Sequence, residues 1–249
     1  MENLILDILY IILKILPDKD KISLSSGTKK WNSLKDSITY NDKISIYKIK
    51  GLPYLHNFTN IIFNYDKDKN FLPKNATHLT FGELFNKNIR GCIPSTVKYL
   101  FFSRYFTKNI KNYIPSSVTH LDIYIYSKKN IAGQIPSSVT HLTFNCVHDY
   151  IADCVPPTVT HLTIGDFKTV YIIGKIPTSV THLTFNELNA YIQGCIPLGV
   201  IHLTICYTPS YQIIRGCIPS SVTHLTINRR NDQHINNYIP SSVLHLTFL

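Results

Sequence analysis

Paired cysteines, acidic charge and long apolar runs are scarce or missing in this chain of 249 residues. Its 6 cysteines form no CxxC pair, which excludes a zinc ribbon and a dithiol redox motif. Cys92, Cys154, Cys195 and Cys217 instead recur at one position of an internal repeat, where they read as small apolar spacers. Free thiols of this kind fit a reducing compartment. The start, MENLILDILYIILKILP, carries Glu2 where a secretory signal needs positive charge, and Asp7 and Lys14 break its apolar run. No other stretch is long enough to cross a bilayer, so a cytoplasmic protein is expected and the sequons at Asn57 and Asn75 carry no weight. Asp and Glu number 15 against 25 Lys and Arg, a formal net charge of +10. Such basicity can serve nucleic acid, an anionic membrane or an acidic protein. In a chain this rich in Lys, Asn and Ile it reads first as solvated surface. Also missing are a nucleophile elbow, a glycine-rich phosphate loop, a paired-carboxylate motif and a metal-ligand cluster. No catalytic residues, no metal and no cofactor are expected, and the protein reads as a non-enzyme.

What is present is repetition. Prolines stand at Pro73, Pro94, Pro115, Pro136, Pro156, Pro177, Pro197, Pro219 and Pro240, spaced by 20 to 22 residues. Each opens a phrase that reads almost IPSSVTHLTF, as at Ile135–Phe144. A period this regular means a solenoid, and a solenoid is usually a binding surface. Counted from its proline, every unit has leucine at plus six (Leu79 to Leu246) and Phe or Ile at plus eight. Plus three is Ala76 and then valine from Val97 to Val243, minus one is aliphatic, and minus five is isoleucine from Ile89 to Ile235. About five apolar side chains per turn therefore point inward. At about 1.5–3 kcal/mol for each buried aliphatic side chain, one turn cannot offset its own ordering entropy, but stacked turns sharing a core can. Three residues before each proline only Gly, Asn or Asp occurs, from Asn70 and Gly91 to Asn237, so a left-handed tight turn is expected there. The proline is then expected to fix an extended approach to the strand.

Plus six and plus eight alternate with outward residues, which makes a short strand. The unit V-x-x-L-x-F/I resembles the core of leucine-rich repeats, but the segment opposite the strand lacks helical periodicity and should be extended or turn-like. The fold class expected is an α+β repeat protein: a short-repeat, leucine-rich-repeat-like solenoid of parallel rungs with a small helical head. More narrowly, I-P-x-S-V-x-x-L-x-F, with Phe144-Asn145 and Phe185-Asn186, resembles the FNIP repeat family over roughly residues 53–249. That resemblance implies a protein-interaction module. Nine repeats occupy residues 70–249, and a degenerate rung, Phe58-x-x-Ile61-x-Phe63, lies in the linker of residues 43–69.

The outward strand positions are plus five and plus seven. Plus five is histidine in His78, His120, His141, His161, His182, His202, His224 and His245, with Tyr99 the exception. Plus seven is threonine except at Phe101 and Asp122. Strands about 4.8 Å apart should stack these residues into parallel ladders. Imidazole can bind zinc or copper, but an in-line row does not converge on one ion, so a structural or interaction role is expected. Repulsion between imidazolium neighbours, about 1–3 kcal/mol per pair, should keep the ladder neutral at pH 7. Target contacts are expected on this strand face, at His120, His141, His161, His182, His202 and His224, and above all where the repeat breaks. Tyr99, Phe101 and Tyr105, with Arg104 and Phe106 beside them, form one interruption, and Asp122, Tyr124 and Tyr126 form the next.

Residues 1–42 do not share the repeat. Leu4, Ile8, Ile11, Ile12 and Ile15 recur at helical spacing, and Leu16-Pro17 ends that helix. The aliphatic helix, Leu16-Pro17-x-x-Asp20, a short Leu/Ser stretch and Lys30-Trp31 together resemble an F-box. Asn3-Leu4 stands where an F-box has Leu-Pro, and Gly27-Thr28 where it has Val-Cys. The resemblance implies that Leu4, Ile8, Leu16, Pro17, Ile22, Leu24 and Trp31 build or present a surface for a Skp-type linker of a cullin ubiquitin ligase. An F-box with FNIP repeats is typical of amoebae and their giant viruses, and it implies a substrate-recruiting adaptor whose solenoid binds a target protein. The other readings are a stand-alone scaffold whose helices only cap the array and, less favoured because the strand face is His and Thr, nucleic-acid binding. At the other end Leu249 directly follows the core position Phe248, so a partner, a dimer or a frayed last turn is expected there.

Overall fold

In the computed structural model, which describes residues 2–26, 32–64, 72–124, 131–145, 153–167, 176–188, 194–206, 216–228 and 239–249, one hydrogen bond recurs in every repeat. The N–H at plus three, from Ala76 and Val97 to Val243, donates to the carbonyl of its own proline over 3.1 Å. The proline therefore opens a β-turn and does not lead into an extended segment. Its ring fixes φ, and its carbonyl is free to close the corner before the strand.

The corner on the opposite side of the unit is also a turn. Cys92, Tyr113 and Gln134 donate to the carbonyls of Ile89, Ile110 and Ile131, each three residues earlier. Its third residue has positive φ: Gly91 at 66°, Asn112 at 61°, Gly133 at 64°, Asp153 at 58°, Gly194 at 72° and Gly216 at 84°. That is the pattern of a type II turn, which selects Gly or Asn at this place. Asn70, Gly174, Asn237 and most of the minus-five isoleucines lie outside the described residues.

Between the corners run short parallel strands: β1 (Ile44–Ser45), β2 (Asn60–Phe63), β3 (His78–Phe81), β4 (Tyr99–Phe102), β5 (His120–Tyr124), β6 (His141–Asn145), β7 (His161–Phe167), β8 (His182–Leu188), β9 (His202–Ile205), β10 (His224–Ile227) and β11 (His245–Phe248). They form one sheet in chain order. Register is constant, His on His and Leu on Leu, as in β5 and β6, where Leu121 pairs with Leu142 and Ile123 with Phe144. The degenerate rung falls in the same register, Ile61 opposite Leu79 and Phe63 opposite Phe81. β7 and β8 run to seven residues, longer than the five of β6 and the four of β9 that flank them.

The core lies behind the sheet, where the plus-three, plus-six and plus-eight columns are buried through β10. Phe85 and Phe106 extend the Phe81 and Phe102 stacks with centroids 4.4 Å apart within each rung. Phe106 is therefore core and not a contact residue. A column of hydroxyls at plus two ties rung to rung: Ser117, Ser138, Ser179 and Ser242 donate to the carbonyls of Val97, Val118, Val159 and Val222 over 2.8–3.0 Å. Gly199 stands in that column, where an added Cβ would press into the Thr178 carbonyl oxygen. β11 pairs with β10 along its whole length, so its backbone is not frayed, while its inner side chains Leu246 and Phe248 are exposed.

Two helices, α1 (Glu2–Ile15) and α2 (Asp18–Ser25), precede the sheet. α2 is fixed to the segment leading into β1 by buried charge. Lys21 Nζ bonds Asp18 Oδ1 at 2.8 Å and the Thr39 carbonyl at 3.1 Å. Asp18 and Asp42 exchange backbone-to-carboxylate hydrogen bonds of 3.1 and 2.6 Å. Among the described residues no helix is long and apolar enough to cross a membrane.

Candidate functional site

Constant register stacks the plus-five side chains into one column of rings. Centroids of His120, His141, His161, His182, His202, His224 and His245 follow one another at 4.0–4.4 Å with nearly parallel planes. Tyr99 does not interrupt the column. Its ring lies 4.1 Å from His78 and 4.2 Å from His120, filling the place of an imidazole.

A second residue orients six of the histidine rings, while His202 and His245 follow Ile201 and Leu244 instead of a threonine. Thr77, Thr119, Thr140, Thr160, Thr181 and Thr223 bring Oγ1 to 2.9–3.0 Å from Nδ1 of the histidine that follows. At these six places the threonine at plus four fixes the ring plane by holding Nδ1. Burial lowers the proton affinity of His78, His120, His141, His161, His182, His202 and His224, and for all but His78 the charge of neighbouring histidines adds to it. Desolvation, more than repulsion, is the leading cause. Burial also pushes the Cys195 thiol up to about 11, which suits a spacer rather than a nucleophile. Among the described residues, no group of three or more His, Cys, Asp or Glu is arranged to hold a metal ion.

The true break is in the plus-seven column. Phe101 and Asp122 replace threonine on adjacent strands, and with the Tyr99 and His120 rings they line a cavity of about 280 Å³ over β3 to β6. Lys43 reaches this cavity from the turn before β1 and holds Nζ 5.9 Å from the Phe101 centroid. Asn145 donates to Asp122 Oδ1. Burial raises the Asp122 carboxyl to about 6, although the Asn145 bond and the Lys43 charge act the other way. Tyr124 meets Phe101 edge to face at 6.3 Å. Tyr105 does not join this surface: it lies in the turn beyond β4, under the guanidinium of Arg104 at 4.8 Å. Tyr126 lies outside the described residues. Lys43 was illegible as a site residue because it precedes the array and belongs to no repeat column, whereas Asn60 and Asn145 stand in visible patterns, the degenerate rung and a Phe-Asn pair, that do not announce a cavity.

On α1 the sides divide sharply. Leu9 and Leu13 are buried against the core, while Ile8 (49% exposed), Ile11 (63%), Ile12 (39%) and Ile15 (78%) form an outer stripe. At 100° per residue these four share one face. Leu16 is half-buried and Pro17 exposed, and Ile22 and Leu24 pack partly on the core. Leu4 lies on α1 but its side chain, like Trp31 as a whole, is outside what the structure describes.

Comparison with known proteins places these features in a wider set. A family model described as FNIP Repeat matches residues 63–105, 85–125, 106–147, 126–167 and 210–249, together more than half of the chain. An FNIP repeat-containing protein of Acanthamoeba polyphaga mimivirus is 29% identical over 103 residues, covering 37% of this chain and 25% of that protein. The crystal structure of CroV588, described as a novel circular LRR protein, aligns with TM-score 0.57 and 30% identity over 84% of this chain and 35% of that one. The chain thus spans about a quarter of the viral relative and about a third of the solved one.

Proposed function

The chain belongs to the FNIP repeat family, and on that premise we propose that it is a substrate-recruiting adaptor of a cullin-type ubiquitin ligase. It is a repeat protein with a leucine-rich-repeat-like solenoid, the architecture of an interaction scaffold. In the adaptor reading the helical head docks on a Skp-type linker, the outward strand face holds a target protein, and the chain itself catalyses nothing. It would work in the cytoplasm, the host's if the gene is viral.

The observation that carries this reading is the outer stripe of α1. Four isoleucines on one exposed helix face are costly to leave in water, and a contiguous apolar surface of this kind marks an interaction site. The helix already packs Leu9 and Leu13 on the core, so folding alone does not require the outer stripe. The F-box-like order of Leu16, Pro17 and Asp20 behind it supports the same partner. A second reading, a scaffold whose helices only cap the first rung, draws on the buried Lys21 and Asp18 of α2, which bond Thr39 and Asp42 just ahead of β1.

Capture by purified Skp-type linker separates the two. The adaptor reading expects binding, and expects the double variant Ile11→Asp, Ile15→Asp to lose it with an unchanged melting temperature. No capture by the unaltered chain at micromolar protein leaves the scaffold reading standing.

A further inference from the structure

In its plus-five and plus-seven columns the outward strand face is neutral and regular except over β3 to β6. There the cavity of about 280 Å³ is walled by aromatic rings and contains one carboxylate, that of Asp122. Its volume lies just below the about 300–1,000 Å³ of small-molecule pockets, which suits an inserted side chain better than a cofactor. Two chemistries converge in it. Phe101 offers a ring face of the kind that attracts a cation within about 6 Å of the centroid, whereas the faces of Tyr99 are covered by His78 and His120. Asp122 offers a carboxylate of which Asn145 engages one oxygen, leaving acceptor capacity for a second donor.

The protein's own Lys43 shows what this place attracts, since its ammonium hangs 5.9 Å from the Phe101 ring, at the outer limit of a cation–π contact. Lys43 does not neutralise the site. It acts on Asp122 only at a distance, and burial still outweighs both it and Asn145 in setting the carboxyl near 6. A group that entered the cavity and bonded Asp122 directly would complete what Lys43 leaves unfinished.

We propose that this cavity is an anchor pocket for an arginine side chain of the partner polypeptide, the guanidinium pairing with Asp122 and lying against Phe101. Arginine is favoured over lysine because its planar fork can bond a carboxylate bidentately while stacking on a ring. The proposal rests on the strand face being the target-binding surface, and it gives that target a chemistry: a basic, exposed segment.

The experiment uses the full chain, isotope-labelled, titrated with N-acetyl-arginine amide and with its neutral isostere N-acetyl-citrulline amide. The expected result is saturable shifts centred on Phe101, Asp122 and Asn145, with a Kd on the order of 1 mM. Citrulline should bind at least about tenfold more weakly, the loss of one charge-assisted bond. Asp122→Thr and Phe101→Thr restore the residue found at plus seven elsewhere, so they should fold normally and each lose the arginine response. Equal binding of citrulline, no saturable binding by the unaltered chain, or an undiminished response in folded Asp122→Thr overturns the proposal. Linker capture through α1 is read separately, so failure of either reading is visible without the other.

Discussion

The imidazoles of His182 and His202 face each other at 4.2 Å with planes only 6° apart, each against the next rung's ring and each short of the solvation a free histidine enjoys.

From this stack follows a pH dependence. The lowered histidines hold protons less well when folded than at their ordinary value of 6.5, so the unfolded chain binds more protons and stability rises with pH. Their contribution is complete above about 6.5 and is lost as pH falls through and below that value. Asp122 has the opposite sign, because its carboxyl is raised from 3.8 to about 6 and its protonation favours the folded state. Seven histidines oppose that one carboxyl. The melting temperature should therefore fall between pH 7.5 and pH 5, by about 2–4 °C for each kcal/mol lost. It should fall more steeply in Asp122→Thr. Thermal melts across that range check this, and a flat profile would sink it.

Glycines at two repeat positions should respond in opposite ways. Gly133 has φ 64° and nothing within 4 Å of the point where a Cβ would stand. Gly133→Asn should then cost little, as Asn112 occupies the same turn, while Gly133→Val should cost about 1–2 kcal/mol. Gly199 is the reverse case. Gly199→Ser installs the residue most common at plus two, yet it should destabilise by about 1–3 kcal/mol because its Cβ meets the Thr178 carbonyl oxygen, a backbone atom that yields only if the rung shifts. Urea midpoints for the three variants decide it, and a stabilising Gly199→Ser would contradict the geometry.

Lys21 should be indispensable to the junction of head and solenoid. Its side chain is 4% exposed and that of Asp18 9%. Lys21→Met leaves a buried carboxylate without its cation and should cost about 3–5 kcal/mol. Adding Asp18→Asn should recover part of this, since the amide oxygen can still accept from the Asp42 N–H. Chemical denaturation of the single and double variants measures both steps. A loss below about 1 kcal/mol for Lys21→Met would show that the pair is not buried in solution.

Much of the solenoid was legible because each repeat column carries its own chemistry. Gly, Asn or Asp at minus three announced the left-handed turn, and Leu with Phe or Ile announced the strand, as Gly133 and Leu142 illustrate. Proline misled, since its φ suits an extended chain and a turn alike, and only the Val139-to-Pro136 bond distinguishes them. The hydroxyls of Ser138 and Thr140 looked like generic surface until the neighbouring rung supplied a carbonyl and the adjacent ring a nitrogen. Tyr99 looked like a break in the ladder because a letter differs, whereas stacking needs only a flat ring of the right height. On α1 two apolar stripes compete for the core, and no pattern within the helix says that Leu9 and Leu13 win. Lys43 is illegible for a different reason: it reaches Phe101 across more than fifty residues of chain.

A face built from one repeated column has translational symmetry: a partner shifted by a single rung meets the same imidazoles and the same threonines. Such a surface by itself can be slid along, as a rack by its pinion, and would hold its target in several equivalent positions. Phe101 and Asp122 abolish that equivalence at one place, and so act as the index mark that sets where along the array a bound chain comes to rest.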